Sequence, residues 1–253
     1  MSRDSLEPRF FAAADGAELA WYEIGAGRPL VLIHGLFSNA WTNWVRYGHA
    51  ERLASEGRRV IMPDLRGHGR SAAPRDPAAY PPDILATDAL ALIAHLGIED
   101  YDLGGYSLGA RTTLRALVRG ARPRRAFGAG MGLDGILDTQ GRGAFFRGVL
   151  EKRGTHPRGS TEWMSEAFLK TTGGDAEALL LILDTFIDTE IDALRALTMP
   201  IGIICGVDDH DNGSAEALAN IFPQGWFEGI PGNHMSAVLR PELGQAIAAF
   251  LVQ

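Results

Sequence analysis

Apolar residues along this chain fall into two alternating kinds of stretch. Short unbroken runs, such as Pro29-Leu30-Val31-Leu32-Ile33 and Ile201-Gly202-Ile203-Ile204-Cys205, leave no polar face, as strands do when helices cover both sides of a parallel sheet. Longer stretches, among them 108–119 and 241–251, space their apolar residues three and four apart, the period of a helix with one buried stripe. The pattern predicts strands near 9–14, 18–25, 29–34, 59–63, 101–106, 124–131, 200–206 and 225–230. Helices are predicted over 44–55, 82–96, 108–119, 215–221 and 241–251, the last belonging to an amphipathic C-terminal segment that includes Val238 and Leu239. This alternation points to an α/β architecture. It stops between Leu133 and about Thr198, too long for a plain connection in a compact domain. That segment reads as a helical cap, 133–198, inserted into a core formed by 1–132 and 199–253. Most of its apolar residues must pack it onto the core.

The chemistry sits where the predicted strands end. Gly105-Tyr106-Ser107-Leu108-Gly109 follows one strand and opens one helix, so Ser107 falls on a strand-to-helix turn where a nucleophilic serine belongs. Flanking glycines let strand and helix approach closely, and the Leu108 amide is left free at a helix N-terminus. The run 29–33 ends in His34-Gly35-Leu36-Phe37, and the Leu36 amide is the second expected donor to a developing oxyanion. The strand ending at Gly206 leads into Val207-Asp208-Asp209-His210-Asp211, which offers a carboxylate, Asp209 being preferred. The last strand leads to Pro231-Gly232-Asn233-His234, and His234 is the candidate base. The chain order is serine, aspartate, histidine. An apolar pocket over Ser107 is expected to draw on Phe37, Tyr106, Phe145, Trp163, Met164 and Phe186.

These motifs resemble those of the α/β-hydrolase family, from about Phe10 to Gln253 apart from the insert. Asp64-Leu65-Arg66-Gly67-His68-Gly69-Arg70-Ser71, after the strand at 59–63, is similar to the family's loop at that place. The resemblance implies a mostly parallel eight-stranded sheet with helices on both faces, a Ser-Asp-His triad, and hydrolysis that needs no cofactor. The family spacing Gly-x-x-Asp, read from Gly206, selects Asp209; Asp134, after the strand ending near Met131, occupies a place that some members use instead. His34 and His68 are expected to shape backbone turns. Asn233 stands where the family often has glycine, and Asp211-Asn212-Gly213 where it often has proline. The implied activity is that of a serine carboxylesterase on small or medium esters or lactones. Relatives with the same triad cleave carbon-carbon bonds, open enol-lactones or make peracids, and some bind ligand as regulators with little catalysis. Epoxide hydrolysis and dehalogenation fit less well, since those relatives use a carboxylate where this chain has Ser107.

Composition narrows the partners. With 253 residues and 46% hydrophobic content the chain can bury a large core. A net charge of -7 argues against nucleic acid as the main partner, which leaves a small-molecule substrate. Arg111, Arg115 and Arg119, followed by Arg122, Arg124 and Arg125, read as a solvated helix face rather than an anion site. Cys205 is the only cysteine and lies in an apolar strand, so a buried thiol is expected. The aspartates at 208–211 lack the spacing of a calcium loop, and no metal is expected. Residues 1–9 lack the apolar core of a leader, and no stretch approaches the ~20 apolar residues of a membrane span; the expected location is the cytoplasm.

Overall fold

The computed structural model describes residues 6–252; of the N-terminal segment used above to argue against a leader, residues 1–5 lie outside the described residues. Eight strands form one sheet: β1 (Arg9–Ala12), β2 (Glu18–Ile24), β3 (Arg28–Ile33), β4 (Arg58–Pro63), β5 (Asp102–Tyr106), β6 (Arg125–Ala129), β7 (Ile201–Gly206) and β8 (Gly225–Ile230). Their order is β1-β2-β4-β3-β5-β6-β7-β8. β2 is antiparallel to both β1 and β4, and every pair from β4 to β8 is parallel.

Alternation across the pleat explains the unbroken apolar runs. Leu30 and Leu32 of β3 join Val60, Met62 and Phe127 in a core on one face of the sheet. Val31 and Ile33 join Ile61, Leu103 and Ile203 in the core on the other. Both faces are therefore dry, and the middle of β3 has no position left for a polar side chain.

The helices are α1 (His49–Ser55), α2 (Ile84–His95), α3 (Leu108–Val118), α4 (Asp134–Leu137), α5 (Thr139–Glu151), α6 (Thr161–Thr172), α7 (Ala176–Leu183), α8 (Ile191–Arg195), α9 (Ala215–Ala219), α10 (His234–Ala237) and α11 (Pro241–Val252). A π-helical turn, Trp41–Val45, precedes α1. Helices α4 to α8 all lie between β6 and β7. Three of them, α5, α6 and α7, share a small apolar core of Val149, Leu150, Leu169, Leu179 and Leu183, and Phe37 from the loop after β3 is buried within it. Among the described residues, no helix is long and apolar enough to cross a membrane.

Two expectations are corrected. Val238 and Leu239 fall outside the C-terminal helix, which begins at Pro241 as predicted, because Asn233 starts a separate short helix, α10, at His234. The arginine stripe is solvated only toward its end, where Arg119, Arg122 and Arg124 are exposed, and not at Arg111 and Arg115. α2 and α8 pack on α3, so Arg111 is 5% exposed and donates to the Gly135 carbonyl at 2.7 Å. Arg115 is paired with the buried carboxylate of Asp83.

Candidate active site

Ser107 sits at the junction of β5 and α3 with φ 55° and ψ −114°, a region a residue with a Cβ occupies at a cost of about 1–3 kcal/mol. Packing enforces it. A Cβ on Gly109 would stand 2.0 Å from the Ile33 carbonyl oxygen, and one on Gly105 would stand 2.4 Å from the Gly109 backbone. Only glycine at both positions lets α3 leave the sheet so abruptly, and the turn lifts the Ser107 hydroxyl clear of the backbone.

The three side chains singled out in the sequence meet at the ends of β5, β7 and β8. His234 Nε2 lies 3.0 Å from Ser107 Oγ, and His234 Nδ1 lies 2.8 Å from Asp209 Oδ2. With an ionised carboxylate at Nδ1, that nitrogen carries the proton and Nε2 is the acceptor facing the hydroxyl. Asp209 is presented by a turn in which its amide donates to the Gly206 carbonyl at 2.9 Å. Burial works to raise the Asp209 pKa, but hydrogen bonds from His234, the Asp211 amide and the Cys205 thiol outweigh it, and the carboxyl is held below its ordinary value. Cys205 is buried, its Sγ 3.6 Å from Asp209 Oδ2, and burial together with that carboxylate pushes its pKa up to about 12. Asp134 is exposed at the start of α4, against Gly213, and Asp208 is also exposed. Neither is the partner of His234.

Asn233 has a local reason to replace glycine. Its side-chain oxygen accepts from the amides of Met235 and Ser236 while Ser236 Oγ accepts from the Asn233 amide, a capping box that starts α10 at the imidazole. Tyr106 Oη donates to the His234 carbonyl at 2.6 Å, so the histidine is held at both its backbone and its ring.

The loop carrying Leu36 is fixed by Asn43, Asp64 and His34, of which the sequence reading left out only Asn43. Asn43 Oδ1 accepts from the Gly35 amide at 3.0 Å, and buried Asp64 accepts from the Ala40 amide at 2.8 Å. His34 Nε2 accepts from the Leu65 amide at 2.9 Å, tying this loop to the one after β4. Phe37 is held at φ 61°, and its carbonyl accepts from Thr172 Oγ1 of α6 at 2.6 Å. Among the described residues, the loop and turn hydrogen bonds take up neither the Leu36 nor the Leu108 amide. An amide side chain a few residues downstream of His34-Gly35-Leu36 was the available signal for Asn43.

A cavity of about 310 Å³ opens at Ser107 and His234, bordered by Leu36, Tyr106, Phe168, Met235, Val238 and Leu239. Of the six pocket candidates only Tyr106 lines it. Phe37 is turned into the core beneath α5 to α7, edge-on to Phe146. Phe145 packs on Phe146 under the Arg142 guanidinium, and Phe186 lies under Arg111. Thr172 anchors the C-terminal end of α6 on the Phe37 carbonyl, so Phe168, one turn back, reaches the cavity. Met164, two turns back, and Trp163 are left 52% and 38% exposed. A larger cavity, about 540 Å³ beside Tyr22, Trp41 and Asp64, contains none of the three meeting residues.

Ligand atoms of Asp209, Asp211 and His234 come within 4.8 Å of one another. Asp209 and His234 already satisfy each other, and Asp211 pairs with Arg142 at 2.6 Å, so the cluster is a neutralised network in which each group has a protein partner.

A family model described as alpha/beta hydrolase fold matches residues 28–125. By structure, the bromoperoxidase from Bacillus anthracis superposes with a TM-score of 0.75 at 25% identity, over 98% of this chain and 100% of that one. The chain has the α/β-hydrolase fold. Among sequences with this fold, a non-heme haloperoxidase of Rhodococcus erythropolis is 38% identical over 112 residues, 44% of this chain and 38% of that protein. An epoxide hydrolase of Caballeronia sordidicola is 36% identical over 139 residues, 55% of this chain and 40% of that protein. The chain thus matches well under half the length of these α/β-hydrolase fold relatives.

Proposed function

We propose that the protein is a serine hydrolase that cleaves small or medium carboxylic esters or lactones through an acyl-enzyme. The observation that carries this reading is the continuous relay from Ser107 Oγ through His234 to Asp209, with separations of 3.0 and 2.8 Å. A serine hydroxyl is a weak nucleophile at neutral pH, so its proton must leave as it attacks. His234 Nε2 takes that proton while Oγ bonds to the substrate carbonyl carbon. The imidazolium then returns the proton to the leaving alcohol as the carbon-oxygen bond breaks. Asp209 holds the ring in the required tautomer and stabilises its charged form. The amides of Leu36 and Leu108 receive the negative oxygen of the tetrahedral intermediate, each such donor typically lowering the barrier by about 3–4 kcal/mol. Water deacylates the serine by the same route, with His234 again as base.

The family resemblance includes epoxide-cleaving and peroxidase-named proteins, and one position separates the first from the reading offered here. Epoxide opening in this fold calls for a carboxylate at the elbow, where this chain has Ser107. Two measurements test the assignment together. Ser107→Ala is expected to abolish turnover of p-nitrophenyl butyrate with an unchanged circular dichroism spectrum, and a fluorophosphonate is expected to label the native chain but not the variant. Turnover that survives the substitution would overturn the proposal.

A further inference from the structure

The cavity at Ser107 lies at the small end of the ~300–1,000 Å³ range of ligand sites, and its wall is chiefly apolar. Apart from His234, one ionisable side chain that is charged at neutral pH borders it: Arg46. Among the described residues, no carboxylate lines the cavity. Arg46 follows the π-helical turn, and its amide donates to the Trp41 carbonyl at 2.9 Å, which fixes the backbone at that point. Its guanidinium carbon lies 5.5 Å from the centroid of the Tyr47 ring, another lining residue. The stacked ring gives the long side chain a preferred place beside the cavity.

Two other arginines near this end of the sheet have carboxylate partners. Arg142 is paired with Asp211 and Arg147 with Asp184. Among the described residues no such ion pair is formed by Arg46. Asp209, the acid of the relay, is buried behind the imidazole and engaged by it. A guanidinium is a planar fork whose best partner is a carboxylate, and among the described residues none is paired with it. With a net charge of -7, long-range attraction does not bring anions to this chain, so selection among them has to come from a local contact.

We propose that Arg46 is a specificity residue and that the substrates are small esters that carry a carboxylate, such as monoesters of short dicarboxylic acids. The inference rests on the serine-hydrolase reading and names the substrate class of that same site. Arg46 binds the distant carboxylate while the apolar wall takes the carbons between it and the scissile carbonyl. The bonds made and broken at Ser107 are those already described.

The test compares two pairs of esters in wild type, Arg46→Gln and Arg46→Lys. One pair places the charge on the acyl side, mono-p-nitrophenyl glutarate against p-nitrophenyl butyrate. The other places it on the alcohol side, 4-acetoxybenzoate against phenyl acetate. In the pair whose charge reaches Arg46, the anionic-to-neutral ratio of kcat/KM is expected to fall about tenfold in Arg46→Gln, carried by KM, and to be largely kept in Arg46→Lys. Neutral esters turned over by all three proteins, with ratios that do not move in either pair, would overturn the assignment of Arg46 while leaving the serine hydrolase standing. Loss of neutral-ester turnover and of fluorophosphonate labelling in wild type would instead overturn both.

Discussion

At the residue scale, the site depends on which carboxylate faces His234. Asp134, Asp208 and Asp209 all follow strands at the same sheet edge, but Asp209 alone is turned inward, by the hydrogen bond between its own amide and Gly206. Replacing it by Asn keeps the shape but offers His234 Nδ1 an amide that can stabilise the wrong tautomer. Asp209→Asn is therefore expected to lower kcat by about 10³–10⁴-fold, measured as steady-state ester hydrolysis. Asp134→Asn, at an exposed position against Gly213, is expected to retain turnover. A large loss in the second variant would move the acid from β7 to β6.

At the scale of elements, α6 is joined to the loop after β3 by one hydroxyl. Thr172 Oγ1 donates to the Phe37 carbonyl, and Phe37 is itself held in left-handed backbone while its ring sits in the small core of α5, α6 and α7. The contact sets how α6 lies over the cavity and which of its side chains reaches it. Thr172→Val removes the donor at nearly constant volume. The expected result is a loss of about 1 kcal/mol of stability, read from denaturant unfolding, together with a raised KM for p-nitrophenyl butyrate as Phe168 loses its place. An unchanged KM would show that the rest of the small core positions α6 unaided.

At the scale of the whole molecule, two buried histidines couple stability to pH. His34 and His68 lie with ring centroids 5.1 Å apart. Burial pushes the first down to about 4, and burial together with its neighbour pushes the second down to about 3. In the unfolded chain both return to ~6.5. Below that pH the unfolded state takes up protons that the folded state refuses, so the folded state is favoured fully above ~6.5 and progressively less as pH falls toward 4. The difference is on the order of 3 kcal/mol for His34 and about 5 kcal/mol for His68. Thermal midpoints are expected to fall steadily from pH 7 to pH 5, and a flat profile would show that neither ring resists protonation in the folded protein. Both rings hold backbone: His34 Nε2 accepts from Leu65, and His68 Nδ1 bonds the Arg66 carbonyl. The pH response therefore acts on the loop that carries Leu36 and on the loop after β4.

The strand positions and the order serine, aspartate, histidine could be read from the chain because they are local properties. An apolar run of five or six residues marks a strand with two dry faces, and Gly105 and Gly109 mark a turn too tight for any side chain. The cavity wall could not be read that way. Phe145, Trp163, Met164 and Phe186 are as apolar as Phe168, and only the anchoring of α6 on Phe37 decides that Phe168 faces Ser107. The burial of Arg111 and the lack of a described ion pair at Arg46 are both decided by packing, since α2 and α8 cover α3 whereas no described carboxylate pairs with the side chain after the π-helical turn. Sequence alone determined the elements and the reactive groups at their ends, because backbone sterics and side-chain periodicity act over a few residues. Which side chains then share a cavity, an ion pair or a hydrogen bond was decided only by tertiary packing, which joins positions more than a hundred residues apart, such as 107 and 234.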